Sequence, residues 1–175
     1  KYLGNYEFII VDDESTDSTK SIIQEFEKNS DKFKYISSNT GDSILSFKKK
    51  ALDAGIRASS YNYLLFTDVD CRVDENWISS MMSNYDDDCD YVVGYSKIEK
   101  NNLSVSLFQS IDFKMMMFCS MGAISMNTPH GCSGQNQSYK KSMYLRNGGF
   151  SRISKLLQGD DSIFLQLSNN LGRIK

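Results

Sequence analysis

Twice in its first seventy residues this chain runs through a short apolar stretch and stops at paired aspartates. Tyr6 to Val11 reads YEFIIV and leads into Asp12 and Asp13; Tyr61 to Phe66 reads YNYLLF and leads through Thr67 into Asp68-Val69-Asp70. Apolar, β-rich runs of four to eight residues predict buried strands. In an extended chain alternate side chains share a face, which puts Asp68 and Asp70 together where the strand leaves the core. Two carboxylates so placed can hold a divalent cation and, through it, a phosphorylated ligand. A plain polar strand end is the alternative.

Helical and strand-like segments alternate around these two runs. The pattern predicts strands at Tyr6–Val11, Phe33–Ile36, Tyr63–Thr67, Asp90–Ile98 and Gln135–Tyr139, and a further one from Gly172. Helices are expected after Ser15 or Thr16, with Ile22, Ile23 and Phe26 inward, and at Phe47–Ser59. Others are expected at Glu75–Tyr85, with Trp77, Ile78, Met81 and Met82 inward, at Val105–Met121, and at Asp160–Asn169. Such alternation implies an α/β sandwich with a mostly parallel central sheet. Ligands of these folds bind beyond the carboxyl ends of the strands. Both acidic clusters fall at those ends.

A length of 175 residues suits one domain. A net charge of -2 gives no basic face for nucleic acid, so an anionic substrate would need local cations or a metal. No apolar run is long enough to span a membrane, and Lys1-Tyr2-Leu3-Gly4 opens no signal peptide. Cys71, Cys89, Cys119 and Cys132 form no CxxC pair, which points to reduced thiols and a cytoplasmic setting. An Asn-x-Ser sequon at Asn102 is read as chance.

Several clusters have both a plain and a chemical reading. Asp12 and Asp13 either favour the helix that follows or accept hydrogen bonds from a base or ribose. Lys48, Lys49 and Lys50 open a helix, where cations oppose the macrodipole; a diphosphate would explain them, and so would a solvated face. Asp86-Asp87-Asp88 with Asp90 reads as a solvated turn. Met115-Met116-Met117-Phe118 reads as core or a pocket wall, and His130 as a loop histidine. Asp160 and Asp161 either complement a helix dipole or supply a general base. No GxGxxG or P-loop is present.

Taken together, five segments in order resemble the family 2 glycosyltransferases, inverting enzymes of the GT-A fold. VDDESTDST (Val11 to Thr19) is similar to the family's VDDGSTDxT, and KKKALDAGIRAS (Lys48 to Ser59) to its lysine-rich helix. LLFTDVDCRVDENW (Leu64 to Trp77) resembles the segment with its metal-binding DxD. GQNQSYKKSMYLRNGGF (Gly134 to Phe150) resembles its acceptor-side region, and GDDSIFLQL (Gly159 to Leu167) its GEDxxLxxRL. The likeness covers Tyr6 to Leu167. It implies one GT-A domain over residues 1–175, a three-layer α/β/α sandwich truncated at both ends.

The resemblance also implies roles. Asp13, with Asp12 beside it, would read the nucleotide base; Lys48 or Lys49 would approach the base or diphosphate. Asp68 would contact ribose or sugar and share with Asp70 the binding of Mg²⁺ or Mn²⁺. Gly134 to Asn136 would line the donor sugar or acceptor. Asp161 would be the catalytic base and Asp160 would help position the acceptor. The partners implied are a nucleotide-diphospho-sugar, UDP-sugar first, and a saccharide or lipid-linked acceptor. The setting is cell-envelope polysaccharide biosynthesis in the cytoplasm, or at the cytoplasmic membrane face if the parent protein is membrane-anchored, as many relatives are.

There are departures. The family's first strand, normally central, is missing before Tyr6, which predicts an unpaired strand edge. The family glycine after VDD is Glu14. Gln166 stands for the family arginine, and no Q/R-x-x-R-W element occurs, which leaves a processive synthase unsupported. Two other readings stay open: a haloacid-dehalogenase-like phosphotransferase, whose motif also begins DxD but expects Thr where Arg72 stands, and a non-catalytic nucleotide-sugar-binding module.

Overall fold

The computed structural model of the protein describes residues 2–99 and 104–175; the Asn102 sequon lies outside them. Strands β1 (Phe8–Asp12), β2 (Phe33–Ser37), β3 (Tyr63–Phe66), β4 (Cys89–Val93), β5 (Gln137–Lys140) and β6 (Arg173–Ile174) interleave with six helices. These are α1 (Thr19–Asn29), α2 (Phe47–Ala58), α3 (Trp77–Met82), α4 (Ser104–Ser125), α5 (Lys141–Arg146) and α6 (Ser162–Ser168). The α/β order expected from the sequence is therefore present.

The strands form two sheets. β1 pairs with β2 in parallel. The other sheet has the order β3-β5-β4-β6, with β5 antiparallel to both neighbours and β6 parallel to β4. Among the described residues β1 and β3 each have a partner on one side only. α2 bridges the break: Gly55 sits so close to Ile9 and Val11 that a Cβ there would meet Val11 Cγ2 at 2.9 Å.

Register builds the core of the larger sheet. Leu64, Tyr139 and Tyr91 stand in one cross-strand row, and Leu65, Ser138 and Val92 in the next. Because side chains alternate across a strand, the first row faces one layer and the second the other. The first packs with Ile56 of α2, Met143 and Tyr144 of α5, and Phe164 and Leu165 of α6. The second packs with Met81 and Trp77 of α3 and with Tyr85. Aromatic rings dominate the first layer: Tyr139 lies 4.5 Å from Phe66 and 5.1 Å from Phe164, centroid to centroid.

Three expectations are corrected. Of Ile22, Ile23 and Phe26 only Ile23 is buried, because α1 covers only a two-stranded sheet. Of Met115 to Phe118 only Met117 is buried. The inward stripe of α4 carries three small serines, Ser106, Ser110 and Ser120, beside Met117, and Ser120 Oγ donates to Gly131 O. Its outward face holds Phe108, Ile111, Met115 and Phe118, the reverse of the usual amphipathic order. Asp90 is not part of a solvated turn either: on β4 its carboxylate meets Lys140 Nζ at 2.9 Å and Arg146 Nη2 at 2.7 Å. Among the described residues no helix is long and apolar enough to cross a membrane.

Candidate active site

The first turn of α2 places Lys48, and the turn beyond β3 places Asp68. That turn, closed by Cys71 N donating to Asp68 O at 3.1 Å, begins after the strand has ended at Phe66. The alternation of an extended strand therefore does not reach the two aspartates. Asp68 accepts a hydrogen bond from Lys48 Nζ at 3.0 Å; Asp70 is exposed.

Lys48 Nζ also lies 3.7 Å from Asp160 Oδ2. Asp160 and Asp161 precede α6 and follow Gly159, whose φ of +112° and a 2.8 Å approach to Ile163 leave no room for a side chain. Asp161 caps α6 by accepting from Ser162 N. Gly134 closes the group: a Cβ there would stand 3.6 Å from both Lys48 Nζ and Asp161 Oδ2. Residues up to 113 positions apart thus meet around one ammonium. Burial works to lower the Lys48 pKa, but the Asp68 hydrogen bond and the charges of Asp160, Asp68 and Asp161 outweigh it and hold it above the ordinary lysine value. Three carboxylates facing one cation leave an excess of negative charge, which attracts a further cation.

The remaining sequence-predicted residues lie differently. Asp12 ends β1 buried, accepting from Ser15 N at 3.2 Å and Tyr35 Oη at 3.1 Å. The Ser15 hydrogen bonds, chiefly, hold its pKa below the usual carboxylate value. Asp13 beside it is exposed. Lys49 is turned away from the cluster and buried, its ammonium on the carbonyls of Leu156 and Leu157. Asn136 is engaged on both sides of its amide: Oδ1 accepts from Trp77 Nε1 at 2.9 Å and Nδ2 donates to Tyr95 O at 3.0 Å.

Sequence reasoning missed three supports. Ser162 Oγ donates to Cys132 O at 3.2 Å, tying the start of α6 to the loop that carries Gly134. Asp53, buried in α2, accepts from Asp42 N, Arg57 Nε and Tyr144 Oη at 2.7–2.8 Å. Tyr35 supports Asp12. A charged residue inside the apolar stripe of α2 was the only available signal, and it pointed to Asp53. Burial pushes the Cys132 thiol up to about 12. All four cysteines are free.

A divalent cation fits this donor set in part. Asp68 and Asp70 offer oxygens, but no three potential ligands gather into one site among the described residues. Mg²⁺ commonly takes one or two carboxylates and completes its shell with phosphate oxygens and water. The pair therefore suits an ion that arrives with a phosphorylated ligand better than a resident one.

Comparison with known proteins gives this fold and its acid-rich cluster a family. A sequence model described as Glycosyl transferase family 2 matches residues 1–145, and the chain belongs to that family. Among curated proteins it is similar to the poly-beta-1,6-N-acetyl-D-glucosamine synthase of Staphylococcus epidermidis. The two are 31% identical over 116 residues, which is 65% of this chain and 27% of that protein. The enzyme of the same name from Staphylococcus aureus (strain COL) is 29% identical over the same length. The chain spans about a quarter of the length of these relatives. Family membership displaces the haloacid-dehalogenase reading. The missing Q/R-x-x-R-W element also loses its weight against a synthase, since relatives bearing a synthase name are matched over only part of their length.

Proposed function

We propose that this domain transfers a sugar from a nucleotide-diphosphate donor to an acceptor hydroxyl with inversion at the anomeric carbon. The observation that carries the reading is the meeting of Lys48, Asp68, Asp160, Asp161 and Gly134, from four of the five family-like segments. Lys48 presents a cation to the donor diphosphate, and Asp68 accepts hydrogen bonds from ribose or sugar hydroxyls. Asp12 and Asp13 serve the base. Asp161 takes the proton of the attacking hydroxyl, and Asp160, buried and paired with Lys48, orients the acceptor. Asp70 and Asp68 would hold Mg²⁺ or Mn²⁺, which when bound offsets the charge developing on the departing diphosphate. The relatives' name makes UDP-N-acetylglucosamine the first donor to try and a growing polysaccharide the first acceptor.

The test is calorimetric titration of UDP and GDP with and without MnCl₂, followed by transfer from UDP-N-acetylglucosamine. Metal-dependent binding of UDP and measurable transfer are expected, with Asp70→Asn weakening both. Folded protein that binds neither nucleotide overturns the reading. Nucleotide binding without transfer, with acceptor saccharide supplied, would make the domain a binding module.

A further inference from the structure

Neighbouring residues on a helix point about 100° apart, and on α2 that angle separates two lysines with opposite fates. Lys48 reaches into the carboxylate cluster with its side chain half exposed. Lys49 is 1% exposed. Its ammonium donates to Leu156 O and, at 3.2 Å, to Leu157 O. A buried cation is costly unless its donors are used. The nearest acidic residue on its helix, Asp53, is already committed to Asp42, Arg57 and Tyr144.

What Lys49 holds matters more than how it is buried. Residues 155–158 have no regular helix or strand and are exposed. Leu157 leaves 78% of its surface in solvent and Leu156 46%, so their side chains do not anchor the segment. Its main chain is gripped instead. From Leu157 to Asp160 is three residues, a reach of at most about 11 Å, and Gly159 lies between them in a conformation that excludes other residues. A grip on Leu156 and Leu157 therefore limits where Asp160 and Asp161 can stand relative to Lys48.

We propose that Lys49 is a positioning residue: by clamping the main chain of Leu156–Leu157 it sets the distance between the donor-side cation Lys48 and the acceptor-side carboxylates Asp160 and Asp161. This deepens the glycosyltransferase reading and rests on it. The clamp acts on catalytic geometry and leaves donor binding alone, because Lys48 and Asp68 are held by α2 and β3. A carboxylate displaced by an ångström is enough to cost on the order of 10²-fold in rate.

The experiment takes wild type, Lys49→Met, Lys49→Gln and Lys49→Arg, each read by hydrogen exchange of amides 156–163, UDP titration with MnCl₂, and kcat and KM for UDP-N-acetylglucosamine. In wild type the Leu156 and Ser162 amides, which donate to Ile153 O and to the Asp161 carboxylate, should exchange at least tenfold more slowly than those of the exposed turn at 86–88. Met and Gln should lose this protection and drop kcat by 10-fold to 100-fold, with UDP affinity and donor KM within threefold of wild type. Arg, which keeps a cation, should recover most of both. Unprotected Leu156 and Ser162 amides in wild type overturn the clamp without any variant, so a misfolded Lys49→Met cannot shelter it. Unchanged kcat in a folded Lys49→Met, or an equal loss of UDP binding and kcat, also overturns it. If wild type binds no UDP, the glycosyltransferase reading fails, and the exchange data still judge the clamp.

Discussion

Asp161 is asked to do two things, and the two can be weighed separately. Its carboxylate caps α6 by accepting from Ser162 N, and α6 carries Phe164 and Leu165 into the core. It is also the proposed base. Asparagine keeps a side-chain acceptor and caps about as well as aspartate, whereas alanine forfeits about 1 kcal/mol. For a chain of this size that is a fall in Tm of about 2–4 °C for Asp161→Ala, and less than about 2 °C for Asp161→Asn. General-base assistance is worth about 10²–10⁴-fold, or roughly 3–5 kcal/mol of barrier. Both variants should therefore lose at least about 10²-fold in transfer while differing in Tm. Scanning fluorimetry and initial rates of UDP release with acceptor present measure the two effects on the same samples. If Asp161→Asn keeps more than a tenth of wild-type rate, or if rate falls only as far as Tm does, the cap is the residue's whole contribution.

Three further outcomes follow from the packing. Asp53→Ala strands the Tyr144 hydroxyl and the Asp42 amide and leaves the half-exposed Arg57 only its 3.9 Å contact with Asp42, so urea melts should show a loss of about 1–3 kcal/mol; a loss under about 0.5 kcal/mol refutes the network. Tyr139→Phe removes a fully buried hydroxyl without a described partner, and should leave stability unchanged or raise it by up to about 1–3 kcal/mol. A clear fall in Tm would mean the hydroxyl is paired. At Asp90 burial pushes the pKa up, but Lys140 and Arg146 outweigh it and hold it below 3.8. A depressed carboxylate contributes stability that is complete above its unfolded value and is lost as pH falls through the folded one. The stability gap between wild type and Asp90→Asn should thus be wide at pH 5 and narrow at pH 3, and a gap independent of pH would refute the ion pairs.

The alternation of elements was legible because the apolar runs carry it, and α2 ends within a residue of its expected bound. Strand direction was not, since nothing in Gln137–Lys140 announces that β5 runs against its neighbours. Asp68, Asp160 and Lys48 could be named from motifs, yet which of two adjacent lysines faces the cluster depends on helix phase. That is set by Ala54 and Ile56 seeking the core, and it turned Lys49 inward. The expectation of a shared face for Asp68 and Asp70 assumed an extended chain, and the chain turns from Asp68 to Cys71. Glu14, where the resemblance expects glycine, adopts φ +61°, a left-handed conformation that is costly for a residue with a side chain.

The break between the two sheets has a consequence for cooperativity. Hydrogen-bond ladders transmit rigidity from strand to strand, and here the ladder stops. The β1–β2 unit, with Asp12 and Asp13 at its end, is joined to the rest through α2 and contacts such as Ser60 N on Glu7 and Lys34 Nζ on Ala58 O. Opening it breaks no strand pairing in the sheet that carries Asp68 and Gly134. The β1–β2 unit is therefore a separate unit of local unfolding, free to loosen and re-form while the carboxylate cluster around Lys48 stays assembled.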